Sequence, residues 1–400
     1  MPSPASTAPT ESRLRPRDWI LLPLIGLLTI AAVCAATELV ARHLYTEFDA
    51  AAEQCRHFTD PYTGIQRNAS CIYHRKYLDS EDAEYRLNSR GYRDDTEVTP
   101  KRPGVFRIVL VGPSYPFGAG VQSDQSIAGI LPKLLSQQLG RKVELYNEAL
   151  QGIPGLPQNL NRRFADVLEA QPDLVLWVYS RKDLEMVLVT DPALEDGAAA
   201  PADANLAAVM KSDTSRSRGL PRGVRVFLAS LKQGFKNSRS SCLLQVLTSK
   251  SQSLLLKQAL TGPSETNDFL RTNPSDAWRT RLHAFDETFA AISDKASAAH
   301  VPLAAALLPG APQAAMISMG EWPEGYDPYL VPKEVDQIAA RHGAIPLDVV
   351  SEFRVIPDPE RDFFPVNQHP NVAGNAILAQ ILATKLESAG LIPRPQESTR

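Results

Sequence analysis

The sequence is poor in the residues that build metal and nucleotide sites. Its 400 residues hold 4 cysteines and 7 histidines. No His-x-x-x-His pair, clustered Cys/His spacing or Gly-x-x-x-x-Gly-Lys loop occurs, so zinc and nucleotide chemistry have no foothold and no cofactor is expected. Charge of one sign is missing too. Forty-two Lys and Arg stand against 45 Asp and Glu, a formal net charge of -3, and no basic patch with interleaved aromatics occurs; bulk attraction to nucleic acid is thereby excluded. No internal repeat is evident. What remains is 44% apolar and 22% charged content, enough for a large core in one elaborate domain plus an accessory segment.

Trp19 to Thr37 contains no charged residue and is rich in Leu, Ile and Ala. At about 1.5 Å rise per residue it just crosses a hydrocarbon core of about 30 Å. This predicts one transmembrane helix over residues 19–41, with the lipid bilayer as its partner. Arg13, Arg15 and Arg17 precede the run and Glu38 follows it, so the positive-inside rule places the N-terminus in the cytoplasm and the main domain in the periplasm or outside the cell. A cleaved signal peptide is the alternative, although its apolar region is usually shorter. Ala31-Ala-Val-Cys34 is a poor lipidation box because Val33 is the wrong residue before the cysteine. Cys34 falls within the helix, leaving Cys55, Cys71 and Cys242 on the exported side, where disulfides persist. Cys55 with Cys71 would close a short loop in a polar, turn-rich segment, and Cys242 competes for either.

Residues 1–18 are rich in Pro, Ser, Thr and Arg and are expected to form a disordered cytoplasmic tail. Residues 42–104 are polar with clustered aromatics and are expected to lie as an extended juxtamembrane segment against the following domain. From Phe106 the pattern alternates: strands at 106–111, 143–146, 174–179, 302–307 and 345–348, helices at 126–139, 156–170, 275–299 and 374–388. Short continuous apolar strands between amphipathic helices predict a parallel sheet covered on both faces. The expected fold is a three-layer, flavodoxin-like α/β domain over residues 105–390, with chemistry at the carboxyl ends of the strands, and a tail at 391–400. An insertion at about 187–274 interrupts the alternation and has the length of a lid or partner surface. Val226, Phe227, Leu231 and Phe235 form an apolar stripe there beside Arg222, Arg225, Lys232 and Lys236, suited either to a membrane surface or to covering the core.

Acyl transfer needs a nucleophile, a base, a group that orients the base, and donors for the oxyanion. Arg107-Ile-Val-Leu-Val-Gly-Pro-Ser114 is a buried-strand pattern ending at Gly-x-Ser, which delivers a rigid, exposed hydroxyl. His369 sits in a turn-rich stretch, followed by Pro370-Asn371 and a helix, a loop position rather than a core one. Taken singly, each has an ordinary structural explanation. Their joint occurrence, early Ser and late His around a parallel sheet, is what points to a site.

With these residues the chain resembles the SGNH/GDSL hydrolase superfamily over roughly residues 85–390, apart from the insertion. Val109-Leu-Val-Gly-Pro-Ser-Tyr resembles its first block, implying Ser114 as nucleophile. Phe117-Gly-Ala-Gly-Val and Asn88-Ser-Arg-Gly-Tyr-Arg93 resemble stretches of membrane-anchored members. Asn147-Glu-Ala-Leu-Gln-Gly152 resembles the second block, implying the Gly152 N–H as an oxyanion donor beside that of Ser114. Trp177-Val-Tyr-Ser-Arg-Lys-Asp183 resembles the third block and Val366-Asn-Gln-His369-Pro-Asn the last, implying His369 as base.

Two departures bear on turnover. Lys182 stands where the family carries the oxyanion asparagine, and Val366 where it carries the aspartate that orients the histidine. In a comparable serine protease, loss of the orienting carboxylate costs about 10⁴ in rate, and loss of one oxyanion donor costs about 10²–10³. Lys182 still offers donors, and Asn367 or Asp362 can be asked to orient His369, as can a main-chain carbonyl. The resemblance implies an exported, membrane-anchored serine esterase or O-deacetylase acting on an acylated envelope or extracellular glycan. The alternative is a catalytically inactive scaffold or glycan-binding protein on the same fold.

Overall fold

The computed structural model describes residues 17–49, 55–187, 238–261 and 268–392. Helix α1 (Asp18–Leu44) carries the uncharged run. Its Trp19–Leu44 stretch is long and apolar enough to cross a membrane, and its side chains pack against almost nothing.

The segment expected to be merely extended folds into two antiparallel sheets. β1 (Phe48–Asp49), β4 (Cys71–Lys76) and β5 (Ala83–Leu87) form one; β2 (Arg56–Thr59) and β3 (Gln66–Ala69) form the other. A Cys55–Cys71 disulfide joins them, with Cα atoms 4.8 Å apart, while Cys242 is a free, buried thiol.

The Asn88–Arg93 stretch is the joint between these sheets and the main domain. Asn88 Oδ1 accepts from the N–H groups of Arg90 and Tyr92, both at 3.0 Å, an Asx turn that tightens the chain. Gly91 sits at φ 77°, where a Cβ would come within 2.5 Å of Asn68 O. Arg93 is then buried and donates to the carbonyls of Phe117 (3.1 Å), Val121 (2.7 Å) and Gly118, over the ring of Tyr85 at 3.8 Å.

The main domain follows in the order β6 (Phe106–Val111), α2 (Ser114–Phe117), α3 (Ile127–Leu139), β7 (Val143–Asn147), α4 (Pro157–Arg162), α5 (Phe164–Glu169), β8 (Leu174–Ser180) and α6 (Arg181–Glu185). After the insertion helices α7 (Ser240–Ser249) and α8 (Gln252–Thr261) come α9 (Asp276–Ala298), β9 (Leu303–Leu308), α10 (Ala311–Met319), α11 (Leu330–Arg341), β10 (Ile345–Pro346) and α12 (Val372–Ser388). β10-β9-β8-β6-β7 form one sheet in which every pairing is parallel. Read from the β7 edge, its strands follow one another as second, first, third, fourth and fifth, the flavodoxin-like order with a switch point between β6 and β8.

Every residue of β6, β8 and β9 is buried, which is why these strands read as unbroken apolar runs. Successive side chains go to opposite faces. Val109, Val111, Trp177 and Tyr179 pack with Phe285 and Phe289 of α9; Ile108, Leu110, Leu176 and Val178 pack with Leu131 of α3 and Leu382 of α12.

Several elements differ from expectation. The helix expected over 156–170 divides at Arg163, whose buried guanidinium reaches the Glu148 carbonyl at 3.0 Å. The fifth strand shortens to two residues, and α10 and α11 arise where no helix was expected. The insertion's Cys242–Leu260 stretch is two helices broken at Lys250-Ser251, and Leu256 of α8 joins the main core. Residues 224–235, with the Val226, Phe227, Leu231 and Phe235 stripe, lie outside the described residues. The end of α1 is tied to the insertion: the Glu38 carboxylate accepts from Ser240 N (2.9 Å), Ser240 Oγ (2.8 Å) and Arg239 N (3.1 Å) at the start of α7.

Candidate active site

β6 ends at Val111, and the turn that follows is possible only with glycine. Gly112 has φ 139°, and a Cβ there would meet Val178 O of β8 at 1.9 Å. The chain can pass that close to its neighbour strand, turn through Pro113, and set Ser114 at the start of α2, at the switch point. Leu150 N donates to Gly112 O at 2.9 Å, fastening the β7 loop to the same turn. Because Arg93 holds Phe117, Gly118 and Val121, the segment behind the serine is fixed on both sides.

His369 is presented by a small closed loop. Phe364 N donates to His369 O and Gln368 N to Phe364 O, both at 2.8 Å, and Phe363 bridges Pro370. Gln368 adopts φ 64°, a left-handed conformation uncommon for a side-chain-bearing residue, and of a kind that concentrates at functional sites. Asn371 then caps α12 by accepting from Gly374 N at 3.1 Å. Asn375 donates to Pro370 O at 2.9 Å and accepts from Ile127 N at 3.1 Å, pinning the loop to the first turn of α3. The serine and histidine loops also touch directly: Tyr115 O–H donates to Gln368 O at 3.1 Å, and its ring lies 5.5 Å from that of His369. Tyr77, just after β4, stacks on the imidazole at 6.2 Å.

The orienting group is Asn367. His369 Nδ1 faces the Asn367 main-chain carbonyl at 3.2 Å and also its side-chain Oδ1. Two acceptors there place the proton on Nδ1 and leave the Nε2 lone pair as the basic one. Among the described residues Asp362 makes no hydrogen bond to His369; it lies half-buried, pushed up to about 6 by burial and by Glu360. The carboxylate in this region is Asp79, which sequence reasoning missed. Its oxygens accept from Val366 N at 2.5 Å and Asn367 N at 3.2 Å, so it braces the backbone on which His369 stands. Burial raises the Asp79 pKa above the ordinary carboxylate value. His369 is pushed down to about 4, first by burial and then by the positive charges of Lys182 and Arg75, against the opposing pull of the Asn367 carbonyl. The imidazole is therefore neutral and proton-accepting at pH 7, though a weaker base than a solvated histidine.

Ser114, Lys182, Asn367 and His369 line one cleft of about 440 Å³ at the carboxyl ends of the strands, within the roughly 300–1,000 Å³ of small-ligand sites. The insertion walls it through Gln245, Thr248, Leu255 and Gln258. Gly152 and Asp362 are outside that lining. Gly152 is exposed at φ 71°, and its N–H, like that of Ser114, makes no main-chain hydrogen bond among the described residues. Asp183 closes the start of α6 by accepting from Ser180 N at 2.6 Å and Ser180 Oγ at 2.8 Å. Ser114 and His369 form no direct hydrogen bond among the described residues.

The residues missed, Asp79, Tyr77 and the part Arg93 plays, all come from the segment before the α/β domain. Only Arg93 had a sequence signal, its place in the Asn-Ser-Arg-Gly-Tyr-Arg stretch.

No family model matches the chain, and no curated protein matches it. Among solved structures it is similar to the psychrotrophic esterase EstA from Pseudoalteromonas sp., at 12% identity and TM-score 0.35, covering 71% of this chain and 97% of that one. It is similar to a lipase/acylhydrolase from Enterococcus faecalis, at 13% identity and TM-score 0.35, over 71% and 96%. A third likeness is to a catalytic mutant of Axe2, an acetylxylan esterase from Geobacillus stearothermophilus, at 11% identity and TM-score 0.34, over 70% and 94%.

Proposed function

We propose that this chain is an SGNH-type serine esterase, held at a membrane by residues 19–41 with its main domain on the outer side, that removes small acyl groups from an O-acylated glycan. The observation that carries the reading is that Ser114 and His369 line one cleft, with Nδ1 of the imidazole engaged by a carbonyl so that Nε2 is left basic.

In this reading, Ser114 Oγ attacks the ester carbonyl and its proton passes to His369 Nε2. The tetrahedral oxyanion takes hydrogen bonds from the N–H groups of Ser114 and Gly152 and from Lys182 Nζ. His369 returns the proton to the departing sugar oxygen, leaving an acyl-serine that water cleaves by the same steps in reverse. Asn367 supplies the orientation an aspartate would, without its charge. The topology rests on Arg13, Arg15 and Arg17 before the apolar run.

A second reading is favoured by His369 lying near 4 and by Lys182 at an oxyanion position: the cleft binds a glycan and does not turn it over. Release of acetate from an O-acetylated polysaccharide by the full-length protein in detergent decides between them. Release that disappears in Ser114→Ala and His369→Ala supports the esterase. Polysaccharide binding by folded protein without release overturns it in favour of the binding module.

A further inference from the structure

The cleft that holds Ser114 and His369 is also lined by an amide whose oxygen has no hydrogen-bond partner among the described residues. Gln313, in the first turn of α10, is 4% exposed and lines the cleft. Its Nε2 donates to Pro328 O at 2.7 Å. That bond fixes which end of the amide is which, because only the nitrogen can donate to a carbonyl. Its Oε1 is therefore an acceptor by assignment, and among the described residues it is buried without a hydrogen bond. A second amide lines the same space from the insertion: Gln245 of α7, whose Oε1 is buried and has no hydrogen-bond partner among the described residues.

Leaving a buried acceptor unmade is costly, so native structures hold few, and each calls for an explanation such as a ligand, an ion or a water. Two such acceptors lining one cleft, one on the core and one on the insertion, ask for a ligand with two or more hydrogen-bond donors. Lys182 at the same cleft makes a cationic donor such as an ammonium group the wrong complement. Neutral hydroxyls fit. An ester with a purely hydrocarbon alcohol would bury both oxygens for good.

We propose that Gln313 and Gln245 are specificity residues that accept hydrogen bonds from free hydroxyls on the alcohol portion of the substrate, so that the cleft selects partly acylated polyols such as saccharide esters over esters of plain alcohols. The proposal rests on the esterase reading for its catalytic readout, but the binding it claims is independent of turnover. Discrimination of this kind is large, because the competitor leaves site groups unpaired; a site built to bind a hydroxyl can reject its deoxy analogue by about 10⁴.

The test compares two esters of matched ring size, a mono-O-acetyl methyl glucoside and cyclohexyl acetate, on full-length protein in detergent. The expected ratio of kcat/KM favours the glucoside by at least about 100-fold. In Gln313→Met and in Gln245→Met that ratio falls by about 10-fold or more; the two substitutions lie on separate elements, so a folding defect in one leaves the other informative. Equal use of the two esters, or a ratio unchanged in both variants, overturns the proposal while leaving the esterase reading intact. If neither ester is cleaved, the esterase reading fails, and binding of methyl glucoside measured by calorimetry decides this one. Binding weakened in either variant supports it, and absence of binding to the folded wild-type protein overturns it.

Discussion

His369 turns its Nδ1 toward the main-chain carbonyl of Asn367, 3.2 Å away, with the Asn367 side-chain oxygen beside it. A neutral carbonyl can fix the tautomer and ring direction as a carboxylate does, but it cannot offset the imidazolium charge that forms when the serine proton arrives. In the proposed esterase reading His369 is therefore a weak base.

Asn367→Ala removes one of the two acceptors and leaves the main-chain one, so kcat/KM on a short-chain ester should fall by less than about 10-fold, far from the roughly 10⁴ seen where the only orienter is lost. Asn367→Asp adds the missing charge and should raise both kcat and the apparent pKa of the base. Steady-state kinetics on the two variants check this; a loss above a thousandfold in Asn367→Ala would show the side chain, not the main chain, to be the orienter.

The acid limb of kcat/KM should lie low. With His369 near 4 rather than 6.5, the base form persists from neutral pH down to about 5, and activity declines only below that. Lys182→Met removes a positive charge that disfavours protonation, so the limb should move to higher pH. The same shift has a stability consequence. Between 4 and 6.5 the unfolded chain binds a proton at this residue that the folded one does not, so stability falls as pH drops through that window. An acid limb at pH 6–7 contradicts the burial argument.

Asp79→Ala should loosen the His369 loop by orphaning the N–H groups of Val366 and Asn367, at a cost of about 1–3 kcal/mol in unfolding free energy. Asp79→Asn keeps one oxygen acceptor and should lose less of both stability and kcat. Urea unfolding beside kinetics tests the pair, and Asp79→Ala with full stability and full kcat would remove Asp79 from the account.

Arg93→Leu should be among the most destabilising single changes outside the hydrophobic core, because it strands the carbonyls of Phe117, Gly118 and Val121 behind Ser114. We expect a loss of about 3 kcal/mol or more, read as a fall in the urea midpoint. A loss below about 0.5 kcal/mol, typical of an unimportant surface position, would count against the clamp.

The parallel sheet was legible because β6, β8 and β9 are covered on both faces and therefore spell unbroken apolar runs, and because Gly112, Ser114, His369 and Asn371 sit at punctuation points between such runs and their helices. The early end of β10 after Pro346 and the division at Arg163 were not, since both depend on tertiary partners rather than on local pattern. Residues 55–87 read as polar and extended because their strands are short, half-exposed and tied by a disulfide and buried arginines instead of an apolar stripe. For the same reason Asp79 and Tyr77 were invisible as site residues. Nothing local marks a carboxylate or ring that acts only through a contact nearly 290 positions away.

The most direct measurement is reaction of the full-length, detergent-solubilised protein with a fluorophosphonate serine probe, followed by peptide mapping. The account predicts covalent labelling at Ser114, abolished in Ser114→Ala and sharply slowed in His369→Ala. Folded wild-type protein that takes up no label, or labelling that survives in Ser114→Ala, would contradict it.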